Sequence, residues 1–170
     1  MELQEIKLKL KETRDELLGI VNGLSEEQLS ARKDTNSWSI NQICQHLIKT
    51  EELYGVAIKR GLKSDEDSFI GNKPLEFLFD RNNKIEAPDI AKPTDEIIGY
   101  QEIINRLNQS REKLYEILST VEDPTLLSRR HFIHPVFKEM ALIEWVRSLY
   151  IHEERHIKQI NEIMEGLSEA

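Results

Sequence analysis

Along most of this chain apolar residues recur at alternating spacings of three and four, the period of one face of an α-helix. In the first segment, about residues 2–23, Leu3, Ile6, Leu10, Thr13, Leu17, Ile20 and Leu24 form a continuous seam, and Gly23 marks its end. A polar stretch follows, in which Ser25 can cap one or two turns. The second segment opens on Ser39 with Gln42 three residues later, the form of a capping box, and Trp38 stands where it could staple onto the helix. Ile43, His46, Thr50, Leu53 and Ala57 then share a face, and Gly61 is a stop. Residues 62–93 lose the period and contain Gly71, Pro74, Pro88 and Pro93, with room for one short helix around Lys73–Arg81. A connection of this length is either functional or a bundle crossover.

The third segment is expected to open at Pro93, with Thr94 as N-cap and Asp95 and Glu96 complementing the helix dipole. Its seam reads Ile97, Tyr100, Ile104, Leu107, Arg111, Leu114, Leu118 and Val121. Asp123-Pro124 starts a short turn or helix, and a loop runs from Arg130 to Pro135. The fourth segment, about Lys138 to Glu165, carries Leu142, Trp145, Leu149, His152, His156, Gln159 and Ile163 in unbroken helical spacing; Gly166–Ala170 is expected to fray. Four long amphipathic helices without a convincing strand predict an all-α fold. The expected form is a four-helix bundle with a long connection between the second and third helices, one domain over residues 1–170.

Composition narrows the function. Apolar residues make up 39% and charged residues 32%, which fits a soluble, surface-charged helical protein. No apolar run approaches the roughly 18–20 residues that cross a bilayer, and the N-terminal MELQEIKLKLKETRDELL has no h-region of a secretory signal. A cytoplasmic location without membrane partners is the expectation. The balance of 23 basic against 31 acidic residues, a net charge of −8, argues against a broad nucleic-acid footprint. The single cysteine, Cys44, cannot form an intrachain disulfide, which is compatible with a reducing compartment. It sits two residues before His46, about 200° around a helix, and reads as a small buried hydrophobe.

The chemistry lies in the histidines. His152 and His156, four apart in HEERH, share a helix face about one turn apart, and both fall on the seam. His46 stands on the seam of the second segment. If those helices pack together, three imidazoles can meet on one divalent ion with positions left open, as a catalytic metal site requires. Imidazole suits several metals, so Zn, Ni, Fe and Mn are not distinguished. Core histidines satisfied by hydrogen bonds are the competing explanation. Gln159, Thr50, Thr13 and Arg111 are the other polar seam positions. Arg111 is a candidate for binding an anionic part of a substrate or cofactor, against the plainer possibility that it reaches water at the end of the seam. Glu153 and Glu154 flank the histidine face and read as surface partners of Arg155 or Lys158; His131 and His134 read as solvated loop residues that could line a pocket mouth.

WSINQICQHL at 38–47, HPVFKEMALIEW at 134–145 and HEERHIKQI at 152–160 together resemble the DinB-like (YfiT-like) superfamily in order and spacing over nearly the whole chain. The resemblance implies a four-helix bundle with one divalent ion on three histidines, here His46, His152 and His156. It departs at Lys138, where the family often carries glycine. Characterised branches include transferases and isomerases that use low-molecular-weight thiols such as bacillithiol or mycothiol. The expectation is therefore a metal-dependent S-transferase acting on a small-molecule thiol and an electrophile. The alternatives are a metal-dependent hydrolase and a non-catalytic stress-related bundle. A homodimer is compatible with all three.

Overall fold

A computed structural model describes residues 1–169. Four long helices carry the fold: α1 (Leu3–Asn22), α3 (Ile40–Leu62), α4 (Tyr100–Ser119) and α6 (Leu142–Glu169). Two single-turn helices, α2 (Glu26–Leu29) and α5 (Leu126–Arg129), sit in the connections. The capping box at the head of α3 forms as its spacing predicts. Ser39 Oγ accepts from the Gln42 amide at 3.1 Å, and Gln42 Oε1 accepts from the Ser39 amide at 3.0 Å. In the bundle α1 packs on α6, and α3 packs on both α4 and α6.

Four features differ from the pattern reading. The third long helix begins at Tyr100, not after Thr94. Side chains of α3 capture the backbone of the preceding residues and offer it an alternative to the helix. Gln45 Oε1 accepts from the Thr94 amide at 3.2 Å, Gln45 Nε2 donates to the Glu96 carbonyl at 2.9 Å, and Asn41 Nδ2 donates to the Ile98 carbonyl at 2.6 Å. Ile98 is buried and Ile97 is exposed, so the first member of the expected seam lies outside the core. The expected short helix near Lys73–Arg81 is a 3-10 turn over Leu75–Phe79, and a second spans Asp89–Ala91. At the other end, α6 continues past Gly166 to Glu169, where fraying was expected; Ala170 lies outside the described residues.

The fourth difference is a β-hairpin, β1 (His131–His134) and β2 (Lys138–Ala141), where the pattern gave a loop and the start of the last helix. The antiparallel register pairs His131 with Ala141 and His134 with Lys138. Four-residue strands are too short to show an alternation, which is why the sequence hides them. Lys138 has φ of 62°, the left-handed region that glycine enters freely and a lysine enters at a cost. The departure from glycine therefore falls on a strained backbone position, yet the hairpin closes.

The interior has two apolar halves. One gathers Leu3, Ile6, Leu10, Ile58, Leu114, Leu118 and Leu149; the other gathers Leu17, Val21, Ile43, Leu47, Ile103, Leu107 and Ile160. Between them the four long helices contribute a buried polar layer. Arg14 of α1, Glu51 of α3, Arg111 of α4 and Glu153 of α6 are all 6% exposed or less.

Candidate metal centre

Helix phase decides what α3 and α6 present to each other. His46 lies on the second turn of α3, and His152 and His156 face it from α6. Nε2 of His152 lies 3.0 Å from Nε2 of His46 and 3.1 Å from Nε2 of His156. One ligand atom from each of the three residues falls within 4.8 Å of the others. Two nitrogens each 2.0–2.1 Å from an ion at a tetrahedral angle would stand about 3.3 Å apart, so the trio is close to the spacing that a divalent ion imposes.

The outer nitrogens fix which face of each ring is basic. His46 Nδ1 lies 2.8 Å from the Ala91 carbonyl, and His156 Nδ1 lies 2.7 Å from Gln159 Oε1. A carbonyl oxygen only accepts, so each Nδ1 carries its proton and each Nε2 offers a lone pair to the centre. Burial pushes the pKa of His46 below its ordinary value. Burial first, and then the neighbouring imidazoles, push His152 and His156 well below theirs. All three rings are therefore neutral near pH 7, the state that binds metal. The lone pairs of His46 and His156 both face Nε2 of His152, an arrangement that a cation or a shared proton between the rings satisfies. The donor set fits a divalent ion, with Ala91 and Gln159 fixing the tautomers of His46 and His156.

Other residues shape the surroundings. The centre opens into a pocket of about 790 Å³. Trp38 covers one side, its ring 4.8 Å from His46 and near-parallel to His156 at 6.4 Å. The indole thus faces the histidines. Tyr54, His134 and Trp145 form the far wall, and the segment Lys84–Lys92 forms the rim. That segment belongs to the long connection, tied to α6 by Arg155, whose guanidinium donates to the carbonyls of Leu78 and Asp80 at 2.9 Å each and to that of Asn83. The connection supplies Ala91 and one side of the pocket.

Two readings of charged residues are corrected. Arg111 reaches neither the pocket nor water. It donates from Nε to Glu51 at 3.1 Å, from Nη2 to Glu153 at 2.8 Å and from Nη1 to the Leu10 carbonyl at 2.6 Å. These partners hold it in the core, where it cannot bind an anionic ligand. Glu153 is likewise no surface residue: Arg14 Nε donates to it at 2.8 Å, and its carboxylate is turned from the histidines. The order H-E-x-x-H also occurs in helical zinc peptidases, where the glutamate is the general base; here that glutamate is held by two arginines. His134, expected in a solvated loop, is 5% exposed and lines the pocket, while Cys44 is fully buried as expected.

Fold and site together define a four-helix bundle with a three-histidine pocket between its second and last long helices. Residues 9–160 match the profile of the DinB superfamily, and the chain belongs to it. It is 31% identical to YuaE, an uncharacterised protein of Bacillus subtilis, over 94% of this chain and 97% of that one. It is 28% identical to a protein of Oceanobacillus iheyensis named as an inferred metal-dependent hydrolase, over 90% of this chain and 80% of that one. The backbone resembles YfiT of Bacillus subtilis, described as an inferred metal-dependent hydrolase with an unusual four-helix bundle topology. That match has a TM-score of 0.67 and 17% identity, covering 97% and 87% of the two chains. It also resembles the four-helix bundle protein TT2238, with a TM-score of 0.65 and 19% identity, covering 94% and 98%. No helix among the described residues is long and apolar enough to cross a membrane.

Proposed function

We propose that this protein is a metal-dependent S-transferase. His46, His152 and His156 would hold a divalent ion, and a low-molecular-weight thiol would be activated there for attack on a small electrophile. The observation behind this reading is the convergence of three Nε2 atoms, two pairs of them at 3.0 and 3.1 Å, on the wall of an open pocket. A divalent ion on neutral imidazoles keeps its full charge and supplies the acidity that makes a coordinated thiol or water nucleophilic near neutral pH.

The chain's own residues have simpler tasks. Ala91 and Gln159 orient His46 and His156, and Trp38 shields the ring faces from water. The buried carboxylates Glu51 and Glu153 are both paired with arginine, and Glu86, which lines the pocket, is exposed and paired with Lys92 on the rim, so none of these three is held against the histidines as a base. A thiol, with a free pKa of about 8.5, needs far less help in losing its proton than water does. That difference favours thiol transfer. Hydrolysis is the second reading, supported by the names of the Oceanobacillus relative and of YfiT.

Metal content, measured by plasma mass spectrometry on protein purified without chelator, tests the site. About one equivalent is expected in the parent and little in His152→Ala. The metal-loaded protein is then given 1-chloro-2,4-dinitrobenzene with and without a small thiol, and separately p-nitrophenyl acetate. Turnover only with thiol supports transfer, and thiol-independent ester cleavage supports hydrolysis. Metal binding without any turnover would leave a non-catalytic bundle.

A further inference from the structure

Beyond His46, the same face of α3 carries Thr50 and Tyr54 at successive four-residue steps, and both line the histidine pocket. Each step rises about 6 Å along the axis, so Tyr54 stands two turns from the proposed ion. A threonine inside a helix often returns its hydroxyl to the carbonyl four residues back. Thr50 does not: it is 5% exposed, and its Oγ1 has no hydrogen-bond partner among the described residues.

Tyr54 is oriented by a chain of donors whose direction is forced. The amides of Val136 and Phe137 donate to His134 Nδ1 at 3.0 and 3.2 Å, so that nitrogen carries no proton. The proton of the ring must then lie on Nε2, which is 2.7 Å from Tyr54 Oη. His134 therefore donates and the phenol oxygen accepts, which leaves the phenol's own hydrogen to point elsewhere. Among the described residues no carbonyl or carboxylate accepts it. Ser148, whose own hydroxyl hydrogen goes to the Trp145 carbonyl at 2.8 Å, stands beside it as a weak acceptor, so a ligand oxygen competes for the phenol hydrogen only with this contact. Trp145 packs edge-on against Tyr54 at 4.7 Å and tilted against His134 at the same distance, which holds both rings in place.

We propose that Tyr54, oriented by His134, is a recognition residue whose O–H donates to an acceptor oxygen on the far end of the small molecule that reaches His46, His152 and His156. The inference rests on the metal-centre reading above. It assigns a ligand class: a thiol with an amide, carbonyl or carboxylate oxygen about two helical turns from its sulfur. Thr50, midway along the wall, lies against the spacer of such a ligand.

The test uses cobalt(II)-loaded protein and the sulfur-to-cobalt absorption as a binding readout. Two probe series are compared, ω-mercaptoalkanamides of increasing length and n-alkanethiols of matched length. The amides are neutral, so the lysines and arginines at the rim contribute little. The parent should favour one amide length over the matched alkanethiol by about fivefold to tenfold, the worth of one neutral hydrogen bond. Tyr54→Phe should erase that preference while leaving cobalt affinity and alkanethiol binding unchanged. A preference that survives in Tyr54→Phe, or an equal loss for both series, would overturn the assignment. A parent that takes up no cobalt would overturn the metal reading itself, a distinguishable failure. Nitrogen-15 NMR of the metal-free protein gives an independent readout: His134 should be the Nε2–H tautomer, and an Nδ1–H tautomer would overturn the orientation argument.

Discussion

Replacing Arg111 with methionine should destabilise the fold far more than it affects any ligand. The guanidinium is 6% exposed, donates to both buried carboxylates, and gives a further hydrogen bond to the Leu10 carbonyl. Two arginines and two glutamates balance in this layer, so Arg111→Met leaves one uncompensated negative charge in the core. Breaking a buried pair from one side costs about 3–5 kcal/mol, out of a total stability of about 5–15 kcal/mol. For a chain of this length each kcal/mol is worth about 2–4 °C in melting temperature, so a drop of about 6–20 °C is expected. Urea denaturation gives the free energy and calorimetry the melting shift. A second substitution supplies the control: Glu51→Gln in the Arg111→Met background removes the stranded charge and should recover at least about 1 kcal/mol. A shift under about 2 °C would refute the charge-balance argument. Normal stability with a selective loss of thiol binding would instead restore Arg111 to the ligand-binding role that the sequence suggested.

Three further predictions concern other positions. Lys138→Gly should stabilise the protein by about 0.5–1 kcal/mol, because φ of 62° costs a lysine more than a glycine; thermal melts would show a rise of a few degrees, and a fall would contradict the strain. Burial lowers the His134 pKa from 6.5 to about 4, so the unfolded chain binds more protons between those values. Stability from this group is complete above about pH 6.5 and is lost as pH falls toward 4. The loss is about 3 kcal/mol from 2.5 pKa units at 1.36 kcal/mol each, and His134→Asn should flatten that part of the urea-midpoint profile. Burial raises the Cys44 thiol to about 12, and the side chain is fully enclosed. Native protein should therefore resist a maleimide reagent that labels the urea-unfolded chain within minutes.

The four long helices and the three histidines were legible because each rests on a local period that burial then enforces. His152 and His156 share a seam with Leu149 and Ile163, which the two apolar halves of the core bury. The start of the third helix was not legible. Thr94-Asp95-Glu96 has the chemistry of a helix start, but Asn41 and Gln45, more than forty residues away, bind that backbone first. The hairpin was missed because the signal of a four-residue strand is below that of its surroundings, and with it went the burial of His134. A tyrosine one helical step beyond Thr50 was a usable signal for the far wall of the pocket. The partner that orients it, His134, comes from a segment whose fold the period could not show.

Glu153 shows why residue order alone does not assign chemistry on a helix. It is adjacent to His152, so the two side chains leave α6 about 100° apart. One direction leads to His46 on α3, the other to Arg14 on α1 and Arg111 on α4. The charge layer therefore fixes the rotation of α6 about its own axis, and that rotation aims His152 and His156 at His46. In a peptidase with the same H-E-x-x-H order, the glutamate must lean toward the metal to act as base. Here, turning α6 to bring Glu153 inward would leave Arg14 and Arg111 to share the single carboxylate of Glu51 and pull the two histidines off their partner. The arginines that keep Glu153 out of the pocket therefore also hold the three histidines in register.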